Sequence, residues 1–197
     1  MFERIAANIA KQMTEERLIG KEQEVYYIYA IVTYAEQLIT VGTILLISLF
    51  IDEFVPTLFF LLFFLLLRKR TGGYHFNSFM GCYIGTVATY IIIINLNTII
   101  VKHPYILLIA LFLSIAIIGL IGTVNHPNMH MNMEELAGSK KAARILTLIE
   151  GSIIYLLYIM GADMICISSM SVAVVLCAIL LCAAKIVKQE VKENEED

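Results

Sequence analysis

Hydrophobic positions fall into one helix-periodic stretch followed by six long apolar runs. Within residues 1–19, Phe2, Ile5, Ala6, Ile9, Ala10 and Met13 recur at i, i+3, i+4, i+7, i+8 and i+11, with Glu3, Arg4, Lys11 and Glu15 elsewhere on the wheel. The pattern predicts an amphipathic helix ending near Gly20. It lies in the membrane interface or packs against the ends of other helices. Acidic residues interrupt it and no small-residue cleavage site follows, so it does not read as a signal peptide.

The apolar runs cover about residues 25–51, 54–67, 79–101, 104–124, 145–162 and 164–184. Most reach the roughly 20 residues that a spanning helix needs. The second, Phe54 to Leu67, gives only about 21 Å of helix against a hydrocarbon core of about 30 Å. It must recruit flanking residues or thin the bilayer, which draws residues 68–75 close to the membrane surface. The predicted architecture is all-α: a polytopic integral membrane protein of six transmembrane helices plus the N-terminal amphipathic helix. It forms one domain over 1–197, comprising the helix at 1–20, a bundle at 25–184 and a charged tail at 185–197.

Composition fits this class, with 59% hydrophobic residues, 16% charged and a mean hydropathy of +0.82, more apolar than a soluble domain of this length carries. The net charge of −3 gives no support to a nucleic-acid binder. The position of the charges says more than their sum. With six spans, Arg4, Lys11, Arg17, Lys21, Arg68, Lys69, Arg70, Lys140, Lys141, Arg144, Lys185, Lys188 and Lys192 share one side and Lys102 alone takes the other. Thirteen of fourteen on one side predicts that both termini and the His75 segment are cytoplasmic. Cys82 then faces a reducing compartment. Cys166, Cys177 and Cys182 read as packing residues of the last span.

The chemistry converges on residues 68–82, Arg-Lys-Arg-Thr-Gly-Gly-Tyr-His-Phe-Asn-Ser-Phe-Met-Gly-Cys. A reactive thiol needs a base to hold its proton. On one straight helix His75 and Cys82 would stand about 10 Å apart, so contact requires the chain to fold back. Gly72 and Gly73 permit an irregular loop. Asn77 or Ser78 can cap the next helix, placing Cys82 about one turn inside it, where the helix dipole favours a thiolate.

Elsewhere, Glu36 is a carboxylate inside the first apolar span, about 16 Å along it. It can orient His75, pair with Arg68 or Arg70, or serve helix packing. Asn95 and Asn97 predict hydrogen bonds between helices. Glu150 is placed to pair with Arg144, Lys140 or Lys141. A polar loop is predicted from Gly122 to Lys140-Lys141. Its His126 and His130 are half of a zinc-ligand spacing, but Pro127 opposes a helix over both, and no metal or other cofactor is expected. No phosphate-binding Gly-x-x-x-x-Gly-Lys-Ser/Thr loop occurs.

The run Arg68 to His75 with Cys82 seven residues later resembles the AgrB family of membrane-embedded cysteine endopeptidases. Asn125-His126-Pro127-Asn128 and Tyr34-Ala35-Glu36 are similar to that family's pattern as well, and with chain length and span layout the resemblance covers nearly the whole chain. It implies that Cys82 is the nucleophile and His75 its general base, with Arg70 and Gly73 shaping the motif. It implies cleavage of a quorum-sensing precursor peptide near an acidic C-terminal region, a thioester on Cys82, and cyclisation to a thiolactone or lactone. It also implies a homodimer. Asn77 and Ser78 are candidates for the oxyanion site. Arg68, Lys69, Arg70, Lys140 and Lys141 set topology and can attract the acidic peptide. The competing class is a small transporter or peptide exporter, with Glu36, Asn95 and Asn97 lining a polar path; it lacks the internal repeat that transporters often show.

Overall fold

The computed structural model describes residues 2–74, 76, 78–125 and 131–189. Within them seven α-helices follow in order: α1 Phe2–Glu15, α2 Glu24–Phe50, α3 Phe54–Thr71, α4 Phe79–Ile100, α5 Pro104–Ile121, α6 Met133–Ile159 and α7 Met164–Ile186. A short 3-10 turn, Lys21–Gln23, joins α1 to α2. The architecture is an all-α polytopic membrane bundle. Five helices, α2 and α4 to α7, are long and apolar enough to cross a membrane. The remaining long helix, α3, carries Arg68, Lys69 and Arg70 in its last turn.

Two element boundaries depart from the sequence reading. The α3 helix does not stop at Leu67 but continues to Thr71, about 27 Å in all. Its basic turn is made of good helix formers, and the helix ends where Gly72 takes φ 64°, a conformation that costs glycine little. The α6 helix starts at Met133, twelve residues before the apolar run at 145. Asn132 accepts from the Glu135 N–H at 2.8 Å and the Glu135 carboxylate accepts from the Asn132 N–H at 3.0 Å, a reciprocal cap. Lys140 and Lys141 therefore belong to a helix and not to a loop.

The α7 helix is the centre of the bundle, packing against α3, α4, α5 and α6. Its buried face is built from small side chains, including Ser168, Ser171, Ala173, Cys177, Ala178 and Ala184, which let backbones approach closely. Against it lie Phe60, Leu61, Phe63 and Leu67 of α3 and Leu111 and Ile118 of α5. The α1 helix docks on α2. It buries Ala6 and Ala10 while Ile5 and Ile9 stay exposed, so helix packing accounts for part of its apolar stripe.

The polar side chains singled out within the helices divide. Asn97 donates to Ser169 Oγ at 3.2 Å, tying α4 to α7. Asn95 instead turns to its own helix, donating to the Ile91 carbonyl at 2.8 Å, so it is not an interhelical contact. Glu150 is buried, and neither carboxylate oxygen has a hydrogen-bond partner. It does not pair with Arg144, whose Nε reaches the Gly119 carbonyl at 2.8 Å.

Leu67 is fully buried where α3 meets the core. Leu67→Ala is expected to lower the unfolding free energy by about 2 kcal/mol or more, through lost packing and the cavity it leaves. Thermal unfolding of the detergent-solubilised protein checks this.

Candidate functional site

Gly72 and Gly73, with φ 64° and 120°, turn the chain sharply out of α3. Three sets of bonds fix this loop. The Gly72 N–H closes the helix on the Arg68 carbonyl at 3.0 Å. The Thr71 carbonyl accepts from the Val124 N–H at 3.2 Å and from Thr123 Oγ1 at 3.1 Å, stitching the end of α3 to the end of α5. The Tyr74 N–H donates to the Leu180 carbonyl of α7 at 2.9 Å.

Arg68 supplies the last tie. Its guanidinium donates to the Gly72 carbonyl and, at 2.5 Å, to the Tyr74 carbonyl. These charge-assisted bonds satisfy acceptors beyond the helix's own backbone ladder, and the Thr71 hydroxyl lies 3.3 Å from the first of them. Gly73 is buried, and an added Cβ would meet Arg68 Nη1 and stand 3.0 Å from the Leu180 carbonyl. Only glycine suits both its backbone angle and this close approach.

Phe76 brings the chain back onto α4. A Cβ built on Gly85 would lie 2.7 Å from Phe76 Cε2, and one on Gly81 would lie 3.2 Å from Phe76 Cβ. The ring thus rests over two glycines one helical turn apart, and its edge meets Tyr74 at a centroid distance of 5.2 Å. Of the two candidate caps, Ser78 takes the position with extended backbone and accepts from the Gly81 N–H at 3.2 Å. The Cys82 N–H bonds to the Ser78 carbonyl at 3.0 Å.

Cys82 is therefore the fourth residue of α4 and is half-buried. It lies where the positive end of the helix dipole acts. Arg68 stands within electrostatic reach of both Cys82 and Cys177. Cys177, read from the sequence as a packing residue, lies against α3, its thiol 3.7 Å from the Phe64 carbonyl.

The other sequence candidates are distributed around this centre. His75, Asn77, His126, Pro127, Asn128 and His130 lie outside the described residues. Glu36 is a half-buried residue of α2, seven positions before Thr43, whose hydroxyl meets Tyr83 Oη, beside Cys82, at 3.1 Å. Lys69 and Arg70 are exposed in the last turn of α3. Lys140 of α6 covers Gly122, where an added Cβ would come within 3.0 Å of its Cγ, and Lys141 is exposed. The bonds from Arg68, Thr123 and Leu180 to the loop were not foreseen. The first carried a signal in the sequence, since an arginine four residues before a helix-ending glycine can reach the carbonyls beyond it.

Arg68→Met removes the tie to Gly72 and Tyr74. Amide hydrogen exchange at Tyr74 in nanodiscs is expected to quicken by about tenfold or more, since bonds to charged groups contribute about 1.5–3 kcal/mol.

No curated protein and no solved structure matches this chain. The family model described as Accessory gene regulator B matches residues 3–184. That span takes in α2 to α6, nearly all of α7, the paired-glycine loop and Cys82, and the chain belongs to the Accessory gene regulator B family, with a role in the accessory gene regulator system.

Proposed function

We propose that this protein is a membrane-embedded cysteine endopeptidase. It cleaves the C-terminal part of a quorum-sensing precursor peptide through a thioester on Cys82. The observation that carries this reading is the setting of Cys82. It lies in the first turn of a helix capped by Ser78, with a guanidinium in electrostatic reach. The loop leading to it is held by its own set of bonds. The thiolate is the form that attacks, so the mechanism needs a base to take the proton.

In this mechanism His75 takes the Cys82 proton and the sulfur attacks the scissile carbonyl. His75 then returns that proton to the leaving amine. The acyl group stays on Cys82 until a thiol or hydroxyl of the same precursor captures it. This closes a thiolactone or lactone ring and restores the Cys82 thiol. A site that excludes water lets that internal nucleophile compete with hydrolysis. Ser78 and the first amides of α4 are the oxyanion candidates.

The basic turn of α3 and Lys140 and Lys141 form the rim that draws an acidic peptide segment. The excess of Lys and Arg at this end of the bundle supports a site on the cytoplasmic face. Glu36 is a candidate to orient His75, to pair with Arg68 or Arg70, or to serve helix packing. It lies about 10 Å along α2 from Thr43, whose hydroxyl meets the residue next to Cys82.

In proteoliposomes carrying a candidate precursor, Cys82→Ser and His75→Ala are each expected to abolish cleavage, whereas Cys166→Ala processes like wild type. Mass spectrometry is expected to find the acyl adduct on Cys82 of the wild type. Equal processing by all three variants would overturn the assignment and favour a carrier.

A further inference from the structure

At the end of the bundle away from Cys82, a small cleft of about 10 Å³ opens between α3, α4 and α7, with Glu53, Thr57, Tyr90, Asn97 and Ser169 in its lining. That is the space of about one water molecule.

Its hydrogen-bond pattern is one-sided. The Thr57 hydroxyl donates to the Glu53 carbonyl at 2.6 Å, which commits its only hydrogen. The Ser48 hydroxyl likewise donates to the Leu45 carbonyl at 2.7 Å. Tyr90 Oη lies 2.7 Å from Thr57 Oγ1 and also contacts the Ser48 hydroxyl, so the phenol hydrogen has two acceptors away from the cleft. A phenol that donates to either turns its lone pairs to the cleft.

Asn97 donates one amide hydrogen to Ser169 Oγ, and its Oδ1 is buried with no partner in a residue 6% exposed. A buried acceptor without a donor is costly. Glu53 also lines the cleft, and its charge lies within electrostatic reach of the Tyr90 hydroxyl. Asp163, which caps α7, and Glu53 both lie within electrostatic reach of Cys166, so the helix ends around the opening are acidic.

We propose that this cleft binds one small inorganic monovalent cation, held by Asn97 Oδ1, Tyr90 Oη and the Glu53 carboxylate. Hard cations take oxygen ligands. A single carboxylate matches a single positive charge, and the cation satisfies the acceptor that the protein leaves unpaired. Bound there, it ties together the far ends of α3 and α4, whose near ends carry the paired-glycine loop and Cys82.

The test is thermal unfolding of the full chain in detergent, in sodium, potassium or choline chloride at equal ionic strength with a chelator of divalent ions. Sodium or potassium is expected to raise the unfolding temperature by a few degrees over choline, as a ligand bound only by the folded state must. Asn97→Ala and Glu53→Gln are each expected to lose that difference. Glu53 is only half-buried, so Glu53→Gln decides the matter if Asn97→Ala does not fold. Identical unfolding temperatures of the wild type in all three salts would overturn the proposal and leave water as the occupant. A salt effect that survives in Glu53→Gln would overturn it too, by moving the site elsewhere.

Discussion

The site region depends on one arginine reaching past the end of its own helix. Beyond Thr71 the chain leaves α3 in a glycine conformation, and the carbonyls of Gly72 and Tyr74 fall outside the helix's backbone hydrogen-bond ladder. The Arg68 guanidinium donates to both and so converts a flexible glycine pair into a fixed turn. The neighbouring bonds follow from that turn. With the loop held, the Tyr74 N–H meets the Leu180 carbonyl, and the Thr71 carbonyl is free to receive both Val124 and Thr123. Gly73 is constrained from both sides, by the arginine that folds the loop and by the α7 backbone that receives it.

The bundle was legible because its helices are written as long apolar runs, and composition alone separates such a chain from a soluble domain. Where the reading fell short, the missing information was of two kinds. The early start of α6 is local. The Asn132-x-x-Glu135 cap is present in the sequence, but the segment it opens is polar, so a search by hydropathy passes over it. The link from Tyr74 to Leu180 is not local at all, since it joins residues brought together only by the packing of α3 on α7. The asparagines show the same limit on a small scale. Asn95 and Asn97 are about 200° apart around α4, so one facing α7 turns the other away.

Within the candidate site, the capped helix start and the place of Cys82 in its first turn could be argued from residue types, because capping is local chemistry. The pairing expected for Glu150 could not. Its charge suggested nearby lysines and arginine, yet the face of α6 that carries Ala143, Thr147 and Glu150 turns inward, and the register of a helix outranks the attraction of surface charges. Membership of the Accessory gene regulator B family gives these residues a shared context, and the bonds around Arg68 give them a physical one.

Tyr74 is bound through its N–H to α7, and Phe76, two residues later, rests on α4. Two residues of extended chain span at most about 7 Å. Tyr74 and Phe76 thus make a very short leash between α7 and the start of α4. Toward the other end of α4 the Asn97–Ser169 bond joins the same two helices, so α4 is fastened to α7 at two separated points and cannot swing away from it about either one alone.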